Sequence, residues 1–470
     1  MIEELRPYPE MKYSGVPWLG EVPARWEVVP LRAVARPRKV TNQNHRELLS
    51  VYLGRGVVRF STVAEKRTNP TSEDLSRYQL VEPGNFVLNN QQAWRGSVGV
   101  SRYCGIVSPA YLVLELDSRL DREFADKLLS DRAMVNQYLV CSKGVGSIQR
   151  NLYWSHLGQV TTILPPLIEQ ADIVRFLDYA DRRIRRYIRA KQKLIKLLEE
   201  QKQAIIQQAV TRGLDPNVRL KPSGVEWLGD VPENWSVRKL RTQFRRHGSG
   251  TTPSGDHFYG GGVPWVMTGD LTDGRVETTR RTVTADAVAG ISALRLYPPG
   301  SLLVAMYGAT IGRTGILAIE ACTNQACCVL ADPTGASSTD YLQAVVNTAR
   351  SHLVERSYGG GQPNINAEIV RSLPVPVPPR REQEEIAEAI AENHIDAAIA
   401  SAKREITLLN EYRTRLIADV VTGKLDVREA TARLPAEVEE PETLDEVEEG
   451  VDAAEASEDE LDDVLEGVVA

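Results

Sequence analysis

The sequence predicts an α+β protein with an internal pseudo-two-fold repeat: two α/β modules separated by two long helices that pair as a coiled coil. Three observations carry this. A segment near the start returns about 210 residues later, two stretches repeat apolar residues in steps of three and four, and the segments between are rich in glycine turns and short β-type runs.

The repeat begins with Lys12-Tyr-Ser-Gly-Val-Pro-Trp-Leu-Gly-Glu-Val-Pro-Ala-Arg-Trp26. It returns as Lys221-Pro-Ser-Gly-Val-Glu-Trp-Leu-Gly-Asp-Val-Pro-Glu-Asn-Trp235. Farther on, Pro83-Gly84, Ala93, Gly96, Gly99 and Ala110 align with Pro299-Gly300, Ala309, Gly312, Gly315 and Ala326, with little identity between them. Gln149 and Asn151 match Gln362 and Asn364, and Pro165-Pro166 with Glu169-Gln170 match Pro378-Pro379 with Glu382-Gln383. The copies close on Val210-Thr211 and Val421-Thr422, each followed by a glycine, Gly213 and Gly423, suited to a helix C-terminus. A period this long is that of a duplicated domain.

The modules, Val28 to Leu164 and Val237 to Val377, contain the β-type runs Phe86 to Leu88, Tyr111 to Leu114 and Leu302 to Ala305. Helical stretches are expected near Asp121 to Leu139 and Asp340 to Leu353. In the first long helix Ile173, Leu177, Ala180, Ile184, Tyr187, Leu194, Leu198 and Ile205 form the expected seam, interrupted by Lys191 and Gln201. In the second it is Ile395, Ile399, Ala402, Ile406, Leu409, Leu416 and Val420, with Arg413 as the break. Each helix is expected to run some 40 residues, on the order of 60 Å. Such a helix needs a partner for its narrow seam, and the other copy is the natural one. Acidic Glu382, Glu385, Glu388 and Glu392 against Lys191, Lys193, Lys196 and Lys202 mildly favour an antiparallel pair, while pattern alone leaves parallel pairing open.

Charge adds a direction. The chain has 470 residues, 56 Lys+Arg and 63 Asp+Glu, but 16 of the acids lie from Ala436 onward with no Lys or Arg among them. The body ahead of that tail therefore holds 56 bases against 47 acids, a net +9, and suits an anionic partner. The tail reads as a disordered, solubilising extension. There is no apolar run of membrane-spanning length and no signal-peptide pattern at Met1 to Glu4, and five cysteines do not describe a disulfide framework, so a cytoplasmic setting is expected.

Catalytic signatures are missing. There is no phosphate-binding Gly-x4-Gly-Lys-[Ser/Thr], no dinucleotide fingerprint, no His-Glu-x-x-His and no [Asp/Asn]-Pro-Pro-[Tyr/Phe]. Cys322, Cys327 and Cys328 lack zinc-site spacing and read as buried small hydrophobes, so no catalytic residue, metal or cofactor is expected. What remains is polar, planar and basic chemistry on glycine-flanked loops. The candidates for nucleic-acid contact are Gln91, Gln92, Arg95, Arg102, Lys143, Ser147, Gln149, Arg150, Asn151 and Tyr153 in the first module. In the second they are Thr251, Thr252, Tyr307, Arg313, Asn324, Gln325, Gln362, Asn364 and Asn366. Arginine suits guanine O6 and N7, and Asn or Gln suits adenine N6 and N7. Asn beside Gly also builds turns with no ligand at all.

These motifs in duplicated order, with Gly250-Thr-Thr-Pro-Ser254 leading to Trp265 and Gly269-Asp-Leu271, resemble the specificity subunit of a type I restriction-modification system over nearly the whole chain to about Ala430. The resemblance implies two target recognition domains, residues 28–164 and 237–377. Around them stand an N-terminal conserved segment (1–27), a central conserved region with its repeat (165–236), a C-terminal conserved helix (378–430) and an acidic tail (431–470), which departs from the family pattern. Each recognition domain would read one half of a bipartite site in double-stranded DNA. The helices would set the unread spacer and dock two methyltransferase subunits, directing adenine-N6 methylation and, with a motor-nuclease subunit, cleavage. The chain itself would be non-catalytic. A stand-alone DNA-binding regulator and a coiled-coil interaction scaffold are the rival classes.

Overall fold

The computed structural model describes residues 5–62, 74–144, 150–359, 363–392 and 394–435. The chain divides into two units, Met1–Tyr187 with Leu409–Ala470, and Ile188–Leu408. Ser147, Gln149, Gln362 and the acidic tail from Ala436 lie outside the described residues.

The first unit centres on a four-stranded antiparallel sheet in the order Ala35–Pro37, Tyr111–Leu116, Phe86–Asn89, Val98–Val100. Alternation decides its two faces: Phe86, Leu88 and Leu114 join the main core with Phe124, Leu128 and Tyr138, while Val87 and Val113 join a smaller one with Leu49, Val51, Val57, Val81 and Val107. The expected helical stretch is two helices, Arg122–Leu129 and Arg132–Val140. The Asp131 side chain accepts the Ala133 N–H at the start of the second and forces the break.

The second unit repeats this plan. Its five-stranded sheet runs Phe244–Gly248, Cys327–Pro333, Leu302–Ala305, Thr314–Leu317, Arg275–Val276, beside a three-stranded sheet that includes Tyr259–Val266. Leu302, Val304, Cys328 and Leu330 face one core, and Leu303, Ala305, Cys327 and Val329 the other. The adjacent cysteines thus sit on opposite faces of one central strand, and burial raises both thiols, Cys328 to about 11. They pack as small hydrophobes, as does Cys322. Here too the expected helix is two, Thr339–Thr348 and Arg350–Glu355.

The repeated motifs make the same contacts in each unit. Ser14 Oγ donates to the Val16 carbonyl and accepts its N–H, Ser223 does the same with Val225, and Trp26 and Trp235 are buried. Gly423 ends a helix at φ 79° where a Cβ would overlap Pro23 and Trp26, and Gly213 ends the other at φ 77° beside Trp235 and Glu382. Gln170 is fully buried; its Oε1 accepts the Asp121 N–H (2.7 Å) and its Nε2 donates to the carbonyls of Arg119 (2.9 Å) and Pro165 (2.7 Å). Gln383 repeats the triad with Ser338 N–H (2.8 Å), Ala336 (3.1 Å) and Pro378 (2.8 Å). In the first unit the two ends of its chain meet, since Asp426 N–H donates to the Arg6 carbonyl at 2.8 Å. The helix Arg428–Ala432 buries Thr431, so ordered chain continues past residue 430 to Pro435.

The first long helix is Leu167–Arg212, 46 residues without interruption. Its counterpart, expected as one helix, is two, Arg380–Ala391 and Ile395–Val421. The halves have different partners: Gln383 and Ile386 pack into the second unit's core, and the seam starts only at Ile395. Pairing is antiparallel. In the second unit Lys191 meets Glu405 (2.7 Å) and Lys202 meets Asp396 (2.6 Å), so one number rises as the other falls, and in the first unit Asp181 pairs with Arg413. Lys191 and Arg413, expected as interruptions, occupy inward positions where an opposite charge answers them.

The seam of the first helix differs from the expectation beyond Ile184. Tyr187, Leu194 and Ile205 are exposed, and Ile188, Ile195 and Ile206 take the inward places. The inward positions 173, 177, 180, 184, 188, 191, 195, 198, 202, 206 and 209 cover 36 residues in ten steps, or 3.6 per step. That is the period of an undistorted α-helix, and the assumed heptad of 3.5 drifts off it by about 0.1 residue per turn, one residue over these ten steps.

Candidate nucleic-acid interface

In the first unit the strand Phe86–Asn89 ends in a tight loop that closes on the turn Ala93–Arg95 and on Gly96 at φ 100°. Asn89 Oδ1 accepts the Gln91 N–H (3.2 Å), and the Trp94 indole N–H donates to the Gln91 carbonyl (3.0 Å), which fixes the ring. Beside this loop lies the short hairpin of Ser142–Lys143 and Asn151–Leu152, with Lys143 opposite Asn151. Asn90 staples the two together, its backbone carbonyl and its Oδ1 both accepting the Leu152 N–H, at 3.3 and 2.8 Å. The result brings Gln91, Gln92, Arg95, Lys143, Arg150, Asn151 and exposed Tyr153 onto one edge. The guanidinium carbons of Arg95 and Arg150 lie over the Trp94 ring, 4.8 and 5.9 Å from its centroid.

Arg102 stands apart from this group. It lines a cavity of about 210 Å³ with Arg122, Asp126, Lys127 and Asp178, on the side of the helix Arg122–Leu129. Its charge helps to lower the Asp126 carboxyl, but burial outweighs this and the Val100 N–H, so that carboxyl is raised.

The second unit builds an equivalent edge from different side chains. Ile365 N–H donates to the Met306 carbonyl (2.9 Å), the counterpart of the backbone bond from Leu152 to Asn90. Asn364 exchanges backbone bonds with Tyr358 (2.9 and 3.0 Å) and bridges to Tyr307, and Arg313 closes the loop that starts at Met306. Met306 N–H donates to the Ala326 carbonyl, which sets Asn324 and Gln325 beside Tyr307. Thr252 Oγ1 donates to Gln325 Oε1 (2.7 Å), and the Thr251 N–H to the Thr323 carbonyl (3.1 Å). Asn366 is occupied differently: its Oδ1 accepts the Ile369 N–H (2.9 Å) as the N-cap of the helix Ala367–Arg371, a structural role.

Sequence reading places Asn90 and Trp94 on the polar loop of the first module but misses Tyr358. Tyr358, exposed, is signalled only by an aromatic before a glycine run; Asn90 and Trp94 act through the groups they hold. The charges are available. Arg95, Lys143 and Arg150 have no carboxylate partner among the described residues, whereas Arg36, Arg38, Arg59 and Arg119 of the same unit are ion-paired. Among the described residues there is no cluster of three metal-ligating side chains and no helix long and apolar enough to cross a membrane. Two surface edges rich in polar groups, the first with cations that have no carboxylate partner among the described residues, have the chemistry to meet phosphates and base edges.

Residues 232–411 match the family described as the type I restriction modification DNA specificity domain. The type I restriction enzyme MjaIX specificity subunit of Methanocaldococcus jannaschii is 26% identical over 196 residues, covering 40% of this chain and 44% of that protein. The match therefore spans less than half of that relative. A second specificity subunit of that organism, named for the enzyme MjaX, is 23% identical over 441 residues, covering 87% and 96%. The fold is shared with a solved chain from the work described as the structural basis of complex assembly and conformational transition of the type I R-M system. That chain has a TM-score of 0.64 and 17% identity, with coverage of 86% of this chain and 99% of that one. The family's domain lies over the second copy, one relative is matched along almost its full length, and the first copy repeats the same turns, caps and buried glutamine, so the chain is similar to the specificity subunits of type I restriction-modification systems.

Proposed function

We propose that each unit reads one half of a bipartite site in double-stranded DNA, through the Asn90-stapled edge in the first unit and the Met306-stapled edge in the second. The observation that carries the reading is that one backbone frame presents two different sets of exposed and half-buried groups. The first is cationic and planar, with Trp94, Arg95, Lys143 and Arg150; the second is mostly neutral, with Thr252, Tyr307, Gln325, Tyr358 and Asn364. Scaffolding alone gives no reason for unpaired arginines on a stapled loop, whereas half-site reading needs them to differ between copies.

The chain supplies recognition, and methylation of adenine N6 belongs to methyltransferase subunits that dock on the paired helices. Adenine must leave the duplex for that reaction, and the pocket for it would be the partner's. Docking is supported by apolar side chains left on the first long helix: in the second unit Leu194, Leu197 and Ile205 are exposed, with Leu194 and Ile205 three turns apart on one face. Association with a motor-nuclease subunit would extend the same complex to cleavage.

The test is to coexpress the chain with its methyltransferase and map N6-methyladenine across the host DNA by single-molecule sequencing. A split motif that disappears when the chain is deleted, and of which one half changes when residues 28–164 are exchanged for those of another specificity subunit, supports the proposal. A motif that is continuous, or that survives deletion, refutes it.

A further inference from the structure

Three observations in the first unit converge on one atom group. Trp94 is fixed by its indole N–H bond to Gln91, so its ring is a rigid platform. Arg95 and Arg150 come to it from different parts of the chain, the first from the turn and the second from the hairpin that Asn90 holds in place two residues later. Neither guanidinium is ion-paired among the described residues. A guanidinium drawn to the face of a ring as a cation spends no N–H donor on a carboxylate and keeps those donors for a ligand.

We infer that Arg95 and Arg150 read guanine in the half-site taken by the first unit, with Trp94 and Asn90 as positioning residues that set the planes of the two forks. This rests on the proposal that the unit reads DNA, and it names the base. The choice of guanine over phosphate follows from geometry. A phosphate accepts a point charge from many directions, and Lys143 on the neighbouring strand suits that task. Guanine O6 and N7 lie in one plane at the edge of the base and take two parallel N–H bonds, which only a guanidinium held in a chosen plane delivers without losing rotamer freedom on binding. The neutral edge of the second unit has no equivalent pair. Among the described residues that edge holds the single arginine Arg313 beside Tyr307, Tyr358, Asn364 and Gln325, so no G·C position that depends on a pair of arginines is expected there.

The test uses the full chain with its methyltransferase and compares wild type with Arg95→Lys, Arg150→Lys, Trp94→Ala and Asn90→Ala by methylome mapping, alongside salt-dependent binding to a duplex carrying the mapped site. Each lysine variant keeps its charge and loses its fork. The expected result is that Arg95→Lys and Arg150→Lys each relax a G·C position in the first half, with about a ten- to hundredfold loss of discrimination against other base pairs there. The second half stays unchanged and serves as the folding control within the same complex. Trp94→Ala and Asn90→Ala relax the same positions while leaving the slope of affinity against salt unaltered, a readout that loss of a phosphate contact would move by about one. Relaxation of an A·T position, or uniform weakening with an intact motif, overturns the inference while half-site reading stands. Absence of any motif from the wild-type complex overturns half-site reading and the inference with it.

Discussion

Replacing Gln170 by Leu removes a side chain that ties the segment Arg119 to Asp121 to the start of the long helix. The amide is fully buried and makes three bonds, one from the Asp121 N–H and two to the carbonyls of Arg119 and Pro165. Leucine fills most of the volume but strands one donor and two acceptors. At about 1.5 kcal/mol for each stranded group the loss is about 4.5 kcal/mol. The extra apolar burial returns about 1.5 kcal/mol, leaving roughly 3 kcal/mol, a large share of the 5 to 15 kcal/mol that typically holds a domain together. With two units, a single melting curve averages two transitions, so the assay is amide hydrogen exchange read by segment. Gln170→Leu should speed exchange in residues 119–129 about a hundredfold and leave residues 336–346 unaffected. Gln383→Leu should do the reverse, because Gln383 makes the same triad with Ser338, Ala336 and Pro378. Less than a threefold change, or equal changes in both segments, would mean that the triads do not hold the domains to the helices and that the reasoning fails.

Three further outcomes follow from local chemistry. A Cβ on Gly250 would overlap the Thr323 carbonyl, so Gly250→Ala should abolish reading of the second half of the site while methylome mapping still shows the first. Burial raises the Asp126 carboxyl, so the folded chain binds that proton more readily than the unfolded one. Its contribution to stability is then present below the ordinary aspartate range and is lost as pH rises through the raised value. Asp126→Asn keeps an acceptor for the Val100 N–H and should raise the urea midpoint at pH 7, with the gain fading as pH falls through the carboxylate range. Because Arg6 and Asp426 are bridged, a chain that starts at Asn217, joins Pro435 to Leu5 through a flexible linker of about ten residues and ends at Pro216 should fold with an unchanged far-ultraviolet spectrum and with unchanged amide exchange in residues 119–129 and 336–346.

The frame was legible where a residue type has one physical use. Ser14 and Ser223 hold identical turns, Gly213 and Gly423 take a left-handed backbone at helix ends, and Trp26 and Trp235 fill equivalent cores, so identity in register told of identical contacts. Glu169-Gln170 and Glu382-Gln383 were visible as a repeat, but their purpose was not, since a buried glutamine looks like any other until its three partners are known. Periodicity misled by one residue. Leu194-Ile195 and Ile205-Ile206 offer adjacent apolar choices, and only the accumulated difference between 3.5 and 3.6 residues per turn decides which faces inward. The break before Ile395 also escaped, because the residues of the helix Arg380–Ala391 continue a helical pattern while their apolar face turns to a different core. Among the candidate contacts, proximity in sequence to glycine loops gathered most onto the two edges, yet it could not separate Arg102, on the helix side, or Asn366, whose side chain caps a helix.

The physical arrangement explains why the two copies agree in frame and disagree in chemistry. At the equivalent point of each edge the hairpin or loop is tied to the sheet by a backbone bond, Leu152 N–H to the Asn90 carbonyl and Ile365 N–H to the Met306 carbonyl. A backbone bond survives any change of side chain, so asparagine can stand at one copy and methionine at the other. Asn90 then adds a second acceptor, its Oδ1, where the loop must also carry Arg150 to the Trp94 ring. The long helices are the opposite case: Lys191 with Glu405, Lys202 with Asp396 and Arg413 with Asp181 make register depend on side chains that must match across the pair. Exchange of one charge there leaves its partner unanswered, while exchange of Arg95 or Gln325 disturbs only one neighbouring side chain, Trp94 or Thr252. Side chains on the edges can therefore vary with few compensating changes while those across the helix pair cannot, which is what the proposed reading of two half-sites requires.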